Sequence, residues 1–363
     1  MKNKIRVLLS NLPLPFDQVG SWTFEFNYLL KQAPLFDYVL SPNPIQSDVF
    51  RYCKKRKWFK GAKLFKNKLL FSWIFRDYIR ELVLIAKEGK PLQLLVVDDQ
   101  ALLYALAKFK PQLPDNSELI YYHHGHSIEL SPMVMYRTDK VFFLTRLGYR
   151  ESVICNNQFT PEVEIVGNGV SSEIFYPLST EEKIRKRKLE GFGSSEILIT
   201  WMANSRPVKG IHLFEKMIPA LIELDPRIKI IIIGNAHHLK WKSDRLIQKG
   251  RLNPPQVAEI LQVSDFYFFT SLWKEGFGLS LVEAIKCGNF IVSSRNGGIA
   301  DVVGGYERVR FIEDPNIIAS WITEFGNIIS SDSWRDLDEK TRNSLFDFFS
   351  LKSWEDRIRN GLK

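Results

Sequence analysis

Residues 264–303 read SDFYFFTSLWKEGFGLSLVEAIKCGNFIVSSRNGGIADVV. An apolar, aromatic run ends near Thr270. An acidic residue, Glu275, follows, and then a small-residue turn, Gly276-Phe277-Gly278. A helical pattern carrying Glu283 continues to Gly288, before the next apolar run at Phe290–Ser293. This is strand, glycine turn, helix, strand. Glycine lets the backbone approach a ligand closely, and the unpaired N–H groups of a helix start favour phosphate and sugar oxygens. Two carboxylates, one before the turn and one inside the helix, suit pairs of sugar or ribose hydroxyls, because each carboxylate accepts several hydrogen bonds.

Further out, the same alternation repeats. Ile5–Ser10, Leu92–Val97, Leu119–Tyr122 and Lys140–Leu144 read as strands in the first half. Glu196–Met202, Ile228–Ile233, Phe266–Thr270 and Phe290–Ser293 read so in the second. Their apolar residues are continuous, as a sheet covered on both faces requires. Helical patterns lie between them, among them Thr23–Lys31, Ile211–Leu224 and Pro255–Gln262. The expected class is α/β with doubly wound parallel sheets. The alternation pauses at Ser171–Lys188, which is polar and strandless. This places a first domain at residues 1–170, a linker at 171–190 and a second domain at 191–344, with a helix at about 345–363 returning to the first.

A chain of 363 residues, 45% of them hydrophobic, is long enough for two cores. The three cysteines form no paired or metal-ligand spacing, which fits a reducing, cytoplasmic setting. The apolar run at the amino terminus is too short for a signal segment, and no stretch has the length of a membrane span. The net charge is +9, and Arg51–Lys68 alone holds nine Lys or Arg and no acid, interleaved with Tyr52, Trp58, Phe59 and Phe65. Such a segment is either a solvated helix or a surface that meets an anionic membrane. No recognised nucleic-acid module accompanies it, so no nucleic-acid partner is expected.

Upstream of the opening stretch, Trp201–Gly210 reads WMANSRPVKG, a strand end followed by Arg206 and Lys209 at a helix start. Cations are badly placed there unless an anion lies between them, and a diphosphate would serve. Taken together, E-G-F-G-L-S-L-V-E-A with Glu275 and Glu283 eight apart resembles the signature of the retaining GT4-like glycosyltransferases (glycosyl transferases group 1). Gly250-Arg251-Leu252 is similar to that family's base-binding loop, and Ser294–Gly298 with Asp301 to its next loop. The resemblance implies the GT-B architecture, two Rossmann-like domains facing across a cleft, with a nucleoside diphosphate sugar of the UDP or GDP type as donor. It implies donor binding by Gly20, Arg206, Lys209, Arg251, Leu252, Glu275, Gly276, Phe277, Gly278, Leu279 and Glu283. It implies catalytic roles for His124, Glu275 and Lys209, and neither metal nor cofactor.

His124 enters through the run His123-His124-Gly125-His126 after Leu119–Tyr122. Adjacent histidines rarely converge on one ion without a distant partner, so no metal is expected. In the family a histidine at this strand end faces the donor sugar, and His124 matches that place best, with His126 next. Gly20 resembles the family's flexible loop beneath the donor phosphates, although Ser21 stands where a second glycine is usual. The expected activity is sugar transfer to a glycan or lipid-linked acceptor in bacterial cell-surface polysaccharide or lipopolysaccharide assembly, on the inner face of the cytoplasmic membrane. The rivals are a sugar phosphorylase or epimerase of the same fold and a catalytically inactive carbohydrate- or membrane-binding protein.

Overall fold

The computed structural model describes residues 4–15, 22–31, 35–45, 47–54, 70–234, 239–331, 334–335 and 337–363. Gly20 and most of Arg51–Lys68 lie outside the described residues. The chain divides into two compact units, Met1–Gly167 with Glu355–Lys363, and Asn168–Trp354.

Unit 1 is built on seven strands: β1 (Ile5–Ser10), β2 (Tyr38–Ser41), β3 (Phe50–Tyr52), β4 (Leu92–Val97), β5 (Glu118–Tyr122), β6 (Lys140–Phe143) and β7 (Glu162–Ile165). They lie in the order β3-β2-β1-β4-β5-β6-β7, every pairing parallel. β4 is buried along its whole length, as its run of Leu and Val demands. Helices Arg76–Ala86 and Gln100–Phe109 press Tyr78, Leu82, Leu102, Leu103 and Leu106 onto this sheet. Asp99 starts the second of these helices by accepting a hydrogen bond from the Leu102 N–H.

Unit 2 has six strands: β8 (Ile197–Met202), β9 (Ile228–Ile233), β10 (Leu246–Gly250), β11 (Phe266–Phe269), β12 (Phe290–Ser294) and β13 (Val309–Ile312). Their order is β10-β9-β8-β11-β12-β13, again all parallel. Its core sets Trp201, Phe214, Phe268, Trp321 and Phe325 against one another. In each unit the strand order reverses once, between β1 and β4 and between β8 and β11. In an open α/β sheet, ligands bind beyond the carboxyl ends of the strands at that switch.

Two expectations are revised. Residues 171–190 were read as a linker, yet they belong to unit 2 and contain the helix Thr180–Leu189, opened by a Ser179–Glu182 capping box. Two of its charges turn inward: Lys183 and Arg187 donate to Asp265 at 2.9 and 2.6 Å, and Leu198 N–H donates to the same carboxylate. Burial opposes a charge on Asp265, but the two cations hold its carboxyl below the usual range. The second revision is at the other end. Only Glu355–Lys363 joins unit 1, whereas 345–354 stays with unit 2. The fully buried Lys286 explains this, since its ammonium donates to Ser172 Oγ and to the carbonyls of Leu345, Phe346 and Phe348 at 2.8–3.0 Å.

Candidate active site

Because β8 and β11 are neighbours at the switch, the loops leaving their carboxyl ends must meet. The loop after β8 carries Arg206 and Lys209, and that after β11 carries Ser271 and Glu275. Lys209 Nζ lies 2.5 Å from Glu275 Oε1, and Ser271 Oγ donates to that same oxygen at 2.5 Å. The two loops are also stitched together by backbone, with Leu272 N–H donating to Val208 O at 2.8 Å. Trp201 Nε1 donates to Thr270 Oγ1 at 2.9 Å, and that hydroxyl lies 3.0 and 3.1 Å from the carbonyls of Lys209 and Gly210.

From the other side comes the loop after β12. Gly298 N–H donates to Glu275 O, and Glu275 and Gly297 form a parallel bridge. Gly297 has φ +71°, and a Cβ there would lie 2.4 Å from Glu275 O, so a side chain at 297 would displace Glu275. Ser294 Oγ and Asn296 Nδ2 both donate to Ser271 O, at 2.7 and 2.9 Å. Glu275 is thus fixed by three loops.

Gly278 (φ +79°) starts the helix Leu279–Lys286, which carries Glu283. Burial pushes the Glu283 carboxyl up to about 7. On β11 the buried Tyr267 donates to Met202 O at 3.1 Å. Burial first, and then the nearby Glu283 and Glu275, keep its phenol protonated, which puts both carboxylates in one electrostatic neighbourhood. Gly276 and Leu279 are half-buried. Phe277 is buried, edge-on to Phe349 at 5.0 Å.

Not every expected residue joins this group. Arg206 is exposed, and its Nε donates to Asn204 Oδ1 of its own loop at 3.3 Å. Arg251 (exposed) and Leu252 (half-buried) follow β10, two strands from β8.

In unit 1 the corresponding switch gathers Asn11 after β1, Asp98 and Asp99 after β4, and His124 after β5. Asn11 Nδ2 donates to Asp99 Oδ2 at 2.6 Å, and His124 N–H donates to Asp98 Oδ1 at 3.1 Å. The His124 ring stacks on Trp22, with centroids 4.6 Å apart, and leans on Tyr122 at 4.2 Å. Burial first, and His123 second, push its pKa well down, so the imidazole is neutral at pH 7. Neither ring nitrogen has a hydrogen-bond partner among the described residues. His126 Nε2 lies 3.2 Å from Glu151 Oε1 instead. Sequence reasoning gave no role to Ser271, Asn296, Gly297 or Asp98. Asn296 and Gly297 entered only as part of the Ser294–Gly298 loop of the family resemblance, and Ser271 and Asp98 had only their position at a strand's carboxyl end. Among the described residues no group of three or more His, Cys, Asp or Glu could hold a metal ion, and no helix is long and apolar enough to cross a membrane.

Comparison with known proteins agrees with this geometry. Residues 182–343 match the family model for glycosyl transferases group 1. The phosphatidylinositol N-acetylglucosaminyltransferase GPI3 subunit of Saccharomyces cerevisiae is 26% identical over 42% of the chain and 35% of that protein. The lipopolysaccharide 1,2-N-acetylglucosaminetransferase of Salmonella typhimurium is 22% identical over 70% of the chain and 64% of that protein. The chain thus spans less than two thirds of the length of these curated relatives. Among solved structures, the sucrose-phosphate synthase of Thermosynechococcus elongatus superposes with a TM-score of 0.73 at 15% identity, covering 98% of this chain and 97% of the other. Anabaena HepE in complex with UDP gives 0.68 at 15% identity, covering 98% of each chain. At such identity the likeness concerns the fold, and it is the GT-B fold. With two doubly wound parallel-sheet units the chain has the GT-B fold, and its residues 182–343 match the model of the glycosyl transferases group 1 family.

Proposed function

We propose that the chain transfers a sugar from a nucleoside diphosphate donor to a glycan or lipid-linked glycan, with retention of configuration and without a metal ion. The observation that carries this is the meeting of Lys209 and Glu275 at the strand switch of unit 2, beside the helix Leu279–Lys286 that holds Glu283. Lys209 supplies the cation that a departing diphosphate needs, and Arg206 is close enough in its loop to add a second. With those charges in place, no divalent ion is required. Glu275, held by Ser271 and Lys209, offers its carboxylate to sugar hydroxyls, and Glu283 offers its own to the ribose. Gly276, Phe277, Gly278 and Leu279 shape the turn against the donor, and Arg251 and Leu252 flank the base. His124, neutral and with no partner for its ring nitrogens among the described residues, is the histidine of unit 1 available to hydrogen-bond a sugar hydroxyl.

The relatives support the choice of substrates: HepE was crystallised with UDP, and the yeast and Salmonella proteins are named for transfer to phosphatidylinositol and to lipopolysaccharide. By extension the acceptor is a surface glycan or glycolipid, and the setting is the inner face of a bacterial membrane. Titration calorimetry with UDP and GDP tests the core of this reading. The parent should bind one of them, and Lys209→Ala should weaken it roughly ten- to hundredfold, the usual effect of losing a charged hydrogen bond. No binding of either nucleotide by the parent would overturn the assignment.

A further inference from the structure

The chain's charge is not shared between its units. Unit 1 has 26 Lys and Arg against 18 Asp and Glu, and unit 2 has 24 against 23, so +8 of the +9 belongs to unit 1. Within unit 1 it is concentrated again, since Arg51–Lys90 holds 13 Lys and Arg against three acids.

The described part of that stretch contains the helices Phe71–Ile74 and Arg76–Ala86. Their inner side is ordinary core: Ile74, Phe75, Tyr78, Leu82 and Ile85 are buried. The outer side is unusual. Trp73, Arg76, Arg80, Val83, Leu84 and Lys87 are all exposed, at helical spacing, and so form one stripe. A merely solvated face would be polar throughout, yet Trp73, Val83 and Leu84 are 37%, 43% and 48% exposed. Apolar and cationic side chains are mixed along it over roughly 20 Å, at the rise of 1.5 Å per residue. The Arg76 guanidinium lies 5.6 Å over the Trp73 ring, which joins a cation and an aromatic at one end of the stripe. Arg80 is 79% exposed at its side chain. The acids of the same helix, Asp77 and Glu81, are half-buried to one side. On its other side Leu84 borders a groove lined by Arg51 of the edge strand β3 with Glu81 and Glu88, which marks the margin of the stripe.

We infer that this face of unit 1 docks on the headgroups of an anionic lipid bilayer. Arg76, Arg80 and Lys87 meet the phosphates, while Trp73, Val83 and Leu84 enter the boundary between headgroups and acyl chains. An acidic protein or a nucleic acid would use the cations but give the three exposed apolar side chains nothing to enter. A bilayer takes both. This names the surface for the membrane setting proposed above, and it does not depend on the donor site.

Sedimentation with vesicles tests it. The parent should bind phosphatidylglycerol vesicles and not phosphatidylcholine vesicles. It should be released at about 1 M NaCl, where the screening length is about 3 Å. A cation near an anionic surface contributes about fivefold in binding, so the combined Arg76→Gln, Arg80→Gln, Lys87→Gln variant should bind about a hundredfold more weakly. The combined Trp73→Ser, Val83→Ser, Leu84→Ser variant should also bind several-fold more weakly. Because all six side chains are exposed, both variants should melt with the parent and bind nucleotide as it does. Failure of the parent to sediment with phosphatidylglycerol, or equal sedimentation of the glutamine variant, would overturn the inference. Equal retention of parent and serine variant on vesicles and on a DNA oligonucleotide would do the same, by showing polyanion binding alone. A parent that binds nucleotide but not phosphatidylglycerol vesicles condemns the docking surface and leaves the transferase reading standing.

Discussion

Glu283 shows how one residue records its surroundings. A glutamate normally ionises near 4.5, but burial on the helix Leu279–Lys286 pushes Glu283 up to about 7. The folded chain therefore keeps a proton that the unfolded chain releases, so this group makes folding less favourable as pH rises from about 4.5 through 7. Glu283→Gln removes the effect. In thermal melts the variant should be more stable than the parent at pH 8, by up to about 3 kcal/mol, with the gap closing near pH 5. A gap independent of pH would mean that Glu283 ionises as freely as it does in water. The glutamate itself was legible from its spacing to Glu275. Its raised pKa was not, because the burial that raises it depends on packing against other elements, such as β11 with Tyr267, that only folding brings near.

At the scale of elements, the loop from β8 to the helix Ile211–Leu224 decides where Lys209 points. Gly210 turns it with φ +76°, and a Cβ there would lie 2.0 Å from Thr270 O. Gly191 has a similar φ of +79° but open space around it. Gly191→Ala should therefore cost only backbone strain, about 1 kcal/mol. Gly210→Ala should cost distinctly more, roughly 2–3 kcal/mol in urea unfolding, and should also weaken nucleotide binding, since Lys209 moves with the loop. Equal losses in the two variants would show that β8 and β11 are less closely joined than their contacts indicate. The long buried strands and the helix Ile211–Leu224 were readable because their residues alone satisfy a covered sheet or a 3.6-residue period. Strands β2, β3, β7, β10 and β13 were not. They are short, and most lie at or next to a sheet edge, where one side meets water: β7 reads EVEI with alternate residues exposed.

For the whole molecule, chelation provides the test. If Lys209 and Arg206 balance the leaving diphosphate, turnover should be unchanged after exhaustive treatment with EDTA, measured as release of nucleoside diphosphate. Complete loss of turnover that added divalent ion restores would instead assign the charge balance to a metal. Unit 1 carries almost all the net charge and unit 2 the Lys209–Glu275 pair, so the charge of the proposed docking face and that of the proposed donor site belong to different units.

The sequence by itself determined the class of fold and the outline of the candidate site. Continuous apolar strands alternating with helices admit little except parallel sheets, and Glu275, Gly278 and Glu283 lie close enough along the chain for local geometry to group them. What tertiary structure alone decided depends on strand order. Lys209 reaches Glu275, 66 residues on, only because β8 and β11 are neighbours at the switch. Asp98 comes beside His124 only because β4 pairs with β5. Residues 171–190 proved part of unit 2 because their lysine and arginine find a buried aspartate that periodicity cannot announce. Pairings between distant residues follow from which strands hydrogen-bond, and that is settled by packing of the whole sheet rather than by any local stretch of sequence.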